Sequence, residues 1–316
     1  MMSKVTDFIQ KQISKGLYPG ASLALFQHGK WQEYYLGTID GTEPVRANLA
    51  YDLASVSKVV GVGTLSIFLV NSGALELDRP LQFYYPDFSS NEVTVRQLLT
   101  HTSGLDPYIP NRNHLDVAQL REALNHLKVT SDKTFRYTDV NFLLLGFMLE
   151  KLLDKPLDQL FFNYIFKPFG MSETSFGPRV GAVPTVKGIN DGIVHDPKAK
   201  VLGKHAGSAG LFSTLKDMEI FLEHYIQDDF SARLFQNYSN QKKERSLAWR
   251  LDKGYLDHTG YTGTFIMYNQ NQEAAIFLTN RTYDKDERAK WIKERDALMA
   301  VIRQAFEENR WTKILN

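Results

Sequence analysis

The chain has 316 residues, of which 43% are apolar and 12% aromatic, enough for a large buried core. Its 37 basic and 36 acidic residues give a formal net charge of +1, which indicates neither a nucleic-acid nor a polyanionic partner. There are no cysteines, so disulfides, thiolate metal sites and cysteine nucleophiles are excluded.

Strands are predicted near both ends of the chain, with helices between them. An amphipathic helix over residues 4–15 precedes two strands, 20–26 and 31–36, which a glycine-containing turn joins into a hairpin. Apolar spacing predicts further helices over 55–71, 95–99, 115–127, 140–153, 157–165 and 213–225. Short β-branched or aromatic runs predict strands over 247–251, 264–268 and 274–278, and a terminal helix over 286–307.

This order of elements predicts an α+β fold, an α/β sandwich in one catalytic domain spanning 1–316. A sheet subdomain, residues 1–60 and 205–316, would hold an antiparallel sheet built from both ends and flanked by terminal helices. A mostly helical insert, residues 61–204, would complete it. The cleft between sheet and insert is a preferred place for a small-ligand site.

The N-terminal sequence carries no signal typical of secretion. Its first twenty residues lack an apolar core segment and a small-residue cleavage site. The longest mainly apolar stretch, 59–70, is too short to span a bilayer. We therefore expect a cytoplasmic protein without a membrane partner, and its oligomeric state stays open.

Ser55 and Lys58 place a hydroxyl and an amine at positions i and i+3, on one face of the predicted helix 55–71. A serine hydroxyl becomes an effective nucleophile when a base lies within hydrogen-bond reach. Lys58 can be that base if burial and the partial positive charge of the helix start lower its pKa well below about 10.4. The spacing alone is also typical of a serine that caps a helix. It recurs at two other places in the chain, Ser213 with Lys216 and Ser239 with Lys242.

Two further segments give this spacing a context. Phe135-Arg136-Tyr137-Thr138-Asp139 directly precedes the apolar helix 140–153, and His258-Thr259-Gly260-Tyr261 leads into a strand. Together with Ser55-Val56-Ser57-Lys58, they resemble the S-x-x-K, Y-x-N and K-T-G elements of the serine β-lactamase and penicillin-binding protein superfamily. Other stretches look like its class C β-lactamase and esterase branch: Pro19-Gly20-Ala21-Ser22, Tyr51-Asp52-Leu53-Ala54-Ser55, Leu98-Leu99-Thr100-His101-Thr102-Ser103-Gly104-Leu105 and Ala209-Gly210-Leu211-Phe212-Ser213-Thr214.

The resemblance implies a serine hydrolase that works through an acyl-enzyme, without metal or cofactor, on a small-molecule ester or amide. Ser55 would attack the carbonyl, Lys58 would take or relay its proton, and Tyr137 would act as a second base that helps activate water for deacylation. The N–H groups of Ser55 and Tyr261 would form the oxyanion hole. The remaining substrate-binding residues would be Asp139, His258, Thr259 and Gly260.

Two residues depart from the pattern of the superfamily. Asp139 stands where the family usually has Asn, and an ionised carboxylate can only accept hydrogen bonds, whereas an amide can also donate them. His258 stands where the family usually has Lys, so a side chain largely neutral near pH 7 replaces a fixed positive charge. These changes favour an esterase-like hydrolase over a β-lactamase or D-alanyl-D-alanine carboxypeptidase. A catalytically silent binding protein that retains the fold is a further alternative.

The other chemically suggestive segments give weaker indications. Ala206-Gly207-Ser208-Ala209-Gly210 is close to the G-x-S-x-G nucleophile elbow, but the residues before it do not predict the strand that this elbow needs, so we expect a cleft-lining loop. His195-Asp196 and Glu223-His224 lack the spacing of a metal site. His101 is expected to fix a loop by hydrogen bonding.

Overall fold

The strands form two antiparallel sheets in the computed structural model, which describes residues 2–189 and 192–315. They are β1 (Gly20–Gln27), β2 (Lys30–Gly37), β3 (Ala50–Asp52), β4 (Ser175–Phe176), β5 (Leu211–Thr214), β6 (Arg250–Asp252), β7 (Tyr255–Thr259), β8 (Phe265–Asn269) and β9 (Ala274–Thr279). The larger sheet has the order β2-β1-β9-β8-β7-β6, and the smaller sheet has the order β3-β5-β4.

The helices of the same part of the chain surround the sheets. They are α1 (Met2–Ser14), α2 (Thr64–Asn71), α3 (Leu81–Tyr84), α4 (Val95–Leu99), α5 (Val117–Asn125), α6 (Val140–Leu153), α7 (Leu157–Phe161), α8 (Lys167–Phe169), α9 (Pro197–Leu202), α10 (Leu215–Gln227) and α11 (Arg288–Leu315). Two segments are π-helical, Val59–Gly63 and Phe162–Phe166, and four short turns are 3-10 helical, Ala54–Val56, Arg112–His114, Gly203–His205 and Asp229–Ser231.

The larger sheet joins the two ends of the chain, as predicted. β1 pairs with β2 in a hairpin and, on its other edge, with β9, so that Ala21 lies opposite Thr279. The antiparallel pairs β9–β8, β8–β7 and β7–β6 follow. The α+β class with an antiparallel sheet built from N- and C-terminal segments is therefore confirmed.

Both faces of the central strands β1, β9 and β8 are buried, whereas the edge strand β2 is largely exposed. In β1, Ala21, Leu23 and Leu25 pack against the terminal helices α1 and α11. Ala24 and Phe26, which point the other way, join the core shared with the helical layer. Because successive side chains of a strand alternate between faces, a strand covered on both faces is a continuous apolar run. The terminal helices therefore form one layer, the sheet a second and the remaining helices a third.

Several elements differ from the sequence prediction. The predicted helix 55–71 divides into the 3-10 turn Ala54–Val56, the π-helical segment Val59–Gly63 and α2. The strand predicted at 247–251 lies at Arg250–Asp252. His258 and Thr259 belong to β7 itself and do not merely lead into a strand. Local patterns missed these boundaries because the packing of distant segments sets them.

The stretch Ala54–Asn71 is long and apolar enough to cross a membrane by length and composition, with a mean hydropathy of 1.5. This stretch begins four residues before Lys58 and includes it, so it is longer than the apolar stretch 59–70 noted in the sequence. Of its residues, 72% are buried inside the fold, and the core helix of a folded domain meets the same criterion.

Candidate active site

Ser55 lies in a constrained turn that follows β3. The residue before it, Ala54, has φ +46°, in the left-handed region that alanine rarely adopts. The Asp52 carboxylate holds this turn: one oxygen accepts from the N–H of Ala54 at 2.8 Å and the other from the N–H of His195 at 2.7 Å. Asp52 is buried, and burial raises its pKa to about 6. The turn leaves Ser55 half-buried at the wall of a cavity.

Lys58 is fully buried beside the Ser55 hydroxyl. Its Nζ donates to Oγ of Ser55 at 2.8 Å, to Oδ1 of Asp139 at 2.8 Å and to the carbonyl oxygen of Ser208 at 2.9 Å. Three acceptors match the three protons of an ammonium group. Burial lowers the pKa of Lys58, but the charge of Asp139 and the adjacent Tyr137 raise it above its ordinary value. The lowered pKa that Lys58 would need to act as the base is therefore not found, because Asp139 pairs with the amine.

Asp139 is held between two lysines at the start of α6. Its second oxygen, Oδ2, lies 3.1 Å from Nζ of Lys198, which in turn is 3.7 Å from Oδ2 of Asp196. Burial raises the pKa of Asp139, but the charges of Lys58 and Lys198 hold it below its ordinary range. Asp139 is therefore ionised at neutral pH and can only accept hydrogen bonds.

Tyr137 lies over this ion pair and lines the same cavity. The centroid of its ring is 5.2 Å from Nζ of Lys58, 4.5 Å from the ring of His101 and 6.2 Å from the ring of His258. Nδ1 of His101 lies 2.9 Å from the side-chain nitrogen of Asn141. His101 thus holds the loop that carries Tyr137 against α6.

His258 is buried in β7, outside the residues that line the cavity. Its Nδ1 is 3.1 Å from the carbonyl oxygen of Thr259, its own neighbour in the strand. Burial, followed by the charges of Lys58 and Arg245, keeps the pKa of His258 well below its ordinary value. The residue at the position of the family's lysine is therefore uncharged at neutral pH.

The segment after β7 closes against the turn that carries Ser55. Thr264 donates through Oγ1 to the carbonyl oxygen of Leu53 at 3.1 Å, and Arg295 donates to Oγ1 of Thr259 at 3.2 Å. The carbonyl oxygen of Tyr261 accepts from Nε of Arg281 at 2.7 Å. Among the described residues, neither the N–H of Ser55 nor that of Tyr261 has a hydrogen-bond acceptor. Both residues line the cavity, so both donors are available to an oxyanion.

Gly260 is essential to this close approach. A Cβ at this position would lie 2.2 Å from Oγ1 of Thr264 and 2.8 Å from the carbonyl oxygen of Leu53. We expect Gly260→Ala to push the Tyr261 N–H away from the Ser55 turn and to lower kcat by about 10²-fold, the effect of losing one oxyanion donor. Ester hydrolysis by the purified variant measures this loss.

Gly73→Ala is the matched control for Gly260→Ala. Gly73 has φ +78° and open space around it, so its substitution costs stability through backbone strain alone and leaves kcat unchanged. A Gly260→Ala enzyme with wild-type kcat would contradict the predicted oxyanion role of this segment.

The cavity in front of Ser55 has a volume of about 730 Å³. Its lining includes six of the predicted site residues, Ser55, Tyr137, Asp139, Thr259, Gly260 and Tyr261, whereas the buried Lys58 and His258 are outside this lining. Five cationic residues also line it: Arg112, Lys198, Arg281, Arg288 and Arg295. Lys198, Arg281 and Arg295 are paired with carboxylates, whereas Arg112 and Arg288 have no ion-pair partner among the described residues.

The other suggestive segments form no nucleophile elbow or metal site among the described residues, although Ala209, His195 and Asp196 line the cavity. Ser208 is fully buried, and the segment before it consists of α9 and a 3-10 turn, so no strand leads into a nucleophile elbow. Gly207 packs so closely on α6 that a Cβ would lie 2.2 Å from the carbonyl oxygen of Phe142. His224 pairs with Asp228 at 2.7 Å. Within residues 2–189 and 192–315, no group of three metal-ligating side chains is found.

Comparisons with known proteins agree on a family and a fold. The family model described as Beta-lactamase matches residues 5–299. A protein of Salmonella typhimurium named "Putative D-alanyl-D-alanine carboxypeptidase" is 25% identical over 89% of this chain and 83% of its own length. A protein of the same name from Escherichia coli O157:H7 is 24% identical over 89% and 82%.

Solved structures with low sequence identity share the fold. EstCE1, a hydrolase with promiscuous acyltransferase activity, superposes with a TM-score of 0.75 at 19% identity, over 94% of this chain and 98% of its own. A β-lactamase/D-alanine carboxypeptidase from Pseudomonas syringae gives 0.73 at 19% identity, over 92% and 97%. A class C β-lactamase gives 0.71 at 19% identity, over 93% and 95%.

Proposed function

The chain belongs to the Beta-lactamase family of serine hydrolases, and from this premise we propose that it hydrolyses carboxylic esters or uncharged amides through an acyl-enzyme on Ser55. The observation that carries the proposal is the 2.8 Å contact between Oγ of Ser55 and Nζ of the buried Lys58 at the cavity wall. A hydroxyl so oriented, with two free N–H donors beside it, suits attack on a carbonyl carbon.

The pairing of Lys58 with Asp139 decides the role of each group. Because all three protons of the Lys58 ammonium are donated, Lys58 orients the Ser55 hydroxyl and stabilises negative charge on its oxygen, and Tyr137 accepts the proton. The Tyr137 phenolate takes the proton of Oγ as the bond from Oγ to the carbonyl carbon forms. The bond from this carbon to the leaving alcohol or amine then breaks, and Tyr137 gives the proton to the leaving group. Water attacks the acyl-enzyme while Tyr137 takes its proton; the bond from the carbon to Oγ breaks, and Oγ receives that proton, which releases the acid and free Ser55.

The preference for uncharged substrates follows from Asp139 and His258. The ionised Asp139 repels a substrate carboxylate and cannot donate to a substrate amide carbonyl. The uncharged His258 does not supply the cation that would bind the carboxylate of a β-lactam. Neutral acyl esters meet neither obstacle.

A D-alanyl-D-alanine carboxypeptidase is the second candidate. Arg112 and Arg288 line the cavity without an ion-pair partner among the described residues, and such side chains suit the terminal carboxylate of a peptide. The curated relatives with that name support the same reading. The substrate comparison that follows separates the two candidates.

We expect the enzyme to hydrolyse a short-chain nitrophenyl ester at least about tenfold faster, in kcat/KM, than a chromogenic cephalosporin or a D-alanyl-D-alanine peptide. A tenfold ratio corresponds to about 1.4 kcal/mol of differential transition-state binding. Repulsion between the Asp139 carboxylate and a substrate carboxylate is sufficient for a difference of this size. Ser55→Ala supplies the background rate of ester hydrolysis. Faster turnover of the cephalosporin or of the peptide would contradict the ester preference.

A further inference from the structure

Arg245 is a buried cation whose guanidinium lacks a carboxylate partner. The residue is 3% exposed, and its Nε and Nη2 have no hydrogen-bond acceptor among the described residues. Its guanidinium lies over the ring of Phe135, whose centroid is 5.3 Å from the guanidinium carbon. Burial lowers the pKa of Arg245 to about 10, so it is charged at neutral pH. A buried, unpaired charge is costly, and its retention calls for a compensating anion.

The surroundings of Arg245 connect it to the proposed base. Phe135, on which it packs, is two residues before Tyr137 in the chain. The ring of Phe135 is 6.2 Å from that of His101, and the ring of His101 is 4.5 Å from that of Tyr137. These contacts form a continuous layer of rings between Arg245 and Tyr137.

The charges around this layer leave Arg245 without a carboxylate of its own among the described residues. Lys58 and Lys198 are offset by Asp139 and Asp196. Asp257, the carboxylate on the strand side, is buried and attracts Arg245, but it also pairs with Arg250 at 2.7 Å and lies 4.0 Å from Arg303, so three cations share its single charge. His101 and His258 are uncharged, because burial, together with the charges of Arg245 and Lys58, keeps the pKa of each well below its ordinary value.

We propose that Arg245 is a positioning residue that stabilises the negative charge of Tyr137 when this phenol has lost its proton and is ready to accept one from Ser55. The inference rests on the proposed function, in which Tyr137 is the base. Lys58 cannot supply the whole of this stabilisation, because Asp139 already neutralises it. His258, at the position of the family's lysine, carries no charge, and Arg245 supplies the missing cation from a distant segment of the chain.

Arg245→Met tests the proposal through the pH dependence of Ser55 acylation. We expect the rate of labelling by a fluorophosphonate, measured by intact mass, to fall about tenfold or more at pH 7. The acidic limb of the rate–pH profile should move to higher pH by about one unit or more. This is the shift that the loss of one nearby positive charge produces at an effective dielectric constant of about 20. Arg245→Lys keeps the charge and should retain the wild-type profile.

Thermal unfolding separates this role from a structural one. Replacing an unpaired buried cation with an apolar side chain of similar volume is neutral or stabilising, so the midpoint of Arg245→Met should stay or rise. Arg121→Met is the matched control: Arg121 packs on Phe147 at 4.0 Å in the same manner but pairs with Glu150 at 2.8 Å, outside the cavity lining. It should lose stability and keep the wild-type rate–pH profile.

The outcomes distinguish this inference from the proposed function. A labelled wild type whose rate–pH profile is unmoved by Arg245→Met would overturn the role of Arg245 alone. A lowered rate with an unmoved profile and a lower melting midpoint would show a structural residue and would also overturn it. A wild type that no fluorophosphonate labels would overturn the proposed function and this inference with it. Should Arg245→Met fail to fold, Arg245→Gln, which keeps hydrogen-bond donors without the charge, is expected to show the same upward shift.

Discussion

Ser55→Ala is expected to reduce ester hydrolysis by about 10⁴-fold or more and to eliminate covalent labelling by a fluorophosphonate. Without Oγ no acyl-enzyme forms, and the oxyanion donors and the cavity sustain only a residual rate. The hydroxyl accepts one hydrogen bond, from Lys58, and is half-buried, so the variant should fold with a melting midpoint close to that of the wild type. Steady-state kinetics and intact-mass spectrometry of both proteins measure the two effects.

Ser239→Ala is the control for this loss. Ser239 and Lys242 repeat the spacing of Ser55 and Lys58. However, the Ser239 hydroxyl donates hydrogen bonds to Oδ1 of Asn237 and to the carbonyl oxygen of Lys243, and Ser239 is not among the residues that line the cavity. Hydrolysis and labelling should both survive this substitution. Labelling that persists in Ser55→Ala would instead implicate a different serine, with Ser208 the first to examine.

Lys58→Met is expected to lower kcat about 10³-fold or more and to destabilise the fold by roughly 3 kcal/mol. The substitution removes the donor that orients Oγ of Ser55 and leaves the carbonyl oxygen of Ser208 buried without its donor. It also leaves Asp139 with one cation, Lys198, in place of two. Chemical denaturation and ester hydrolysis measure stability and activity separately.

The double variant Lys58→Met/Asp139→Asn separates these two consequences. Removing the carboxylate charge along with the ammonium should restore part of the stability, since no unbalanced anion then remains in the half-buried site. Activity should stay low, because Ser55 still lacks its donor. Recovery of wild-type kcat in the double variant would show that Lys58 serves only to neutralise Asp139.

The sequence predicted those parts of the site that short spacings determine. The i and i+3 positions of Ser55 and Lys58 place Oγ and Nζ 2.8 Å apart, although a 3-10 turn followed by a π-helical segment takes the place of a regular helix. The resemblance predicted that Tyr137 and Tyr261 lie in one site, because each belongs to a compact motif with a known place in the fold. Both residues line the cavity. The buried strands β1, β8 and β9 were recognisable as apolar runs.

The features that the sequence left hidden depend on pairings between distant segments. Asp139 meets Lys58 across 81 positions, and this contact reverses the direction expected for the pKa of Lys58. Lys198 lies two residues after Asp196, and nothing in this segment predicts that it pairs with Asp139. Arg245 closes the charged run Lys242-Lys243-Glu244, which is typical of an exposed loop, and nothing in that run predicts burial. Electrostatic partners of this kind are set by tertiary packing.

The pairing of β1 with β9 has a consequence for how this protein is made. Ala21 and Thr279 are opposite each other in the sheet, yet about 250 residues separate them. At roughly 5–20 residues per second, a ribosome needs about 12–50 s to add that length. During this time the β1 edge of the hairpin β1–β2 stays unpaired, because β9 has not yet been synthesised. The open edge of β1 is then available to any other strand in the cell. Yield of folded protein should therefore depend on synthesis rate and on chaperones that cover this edge until β9 emerges.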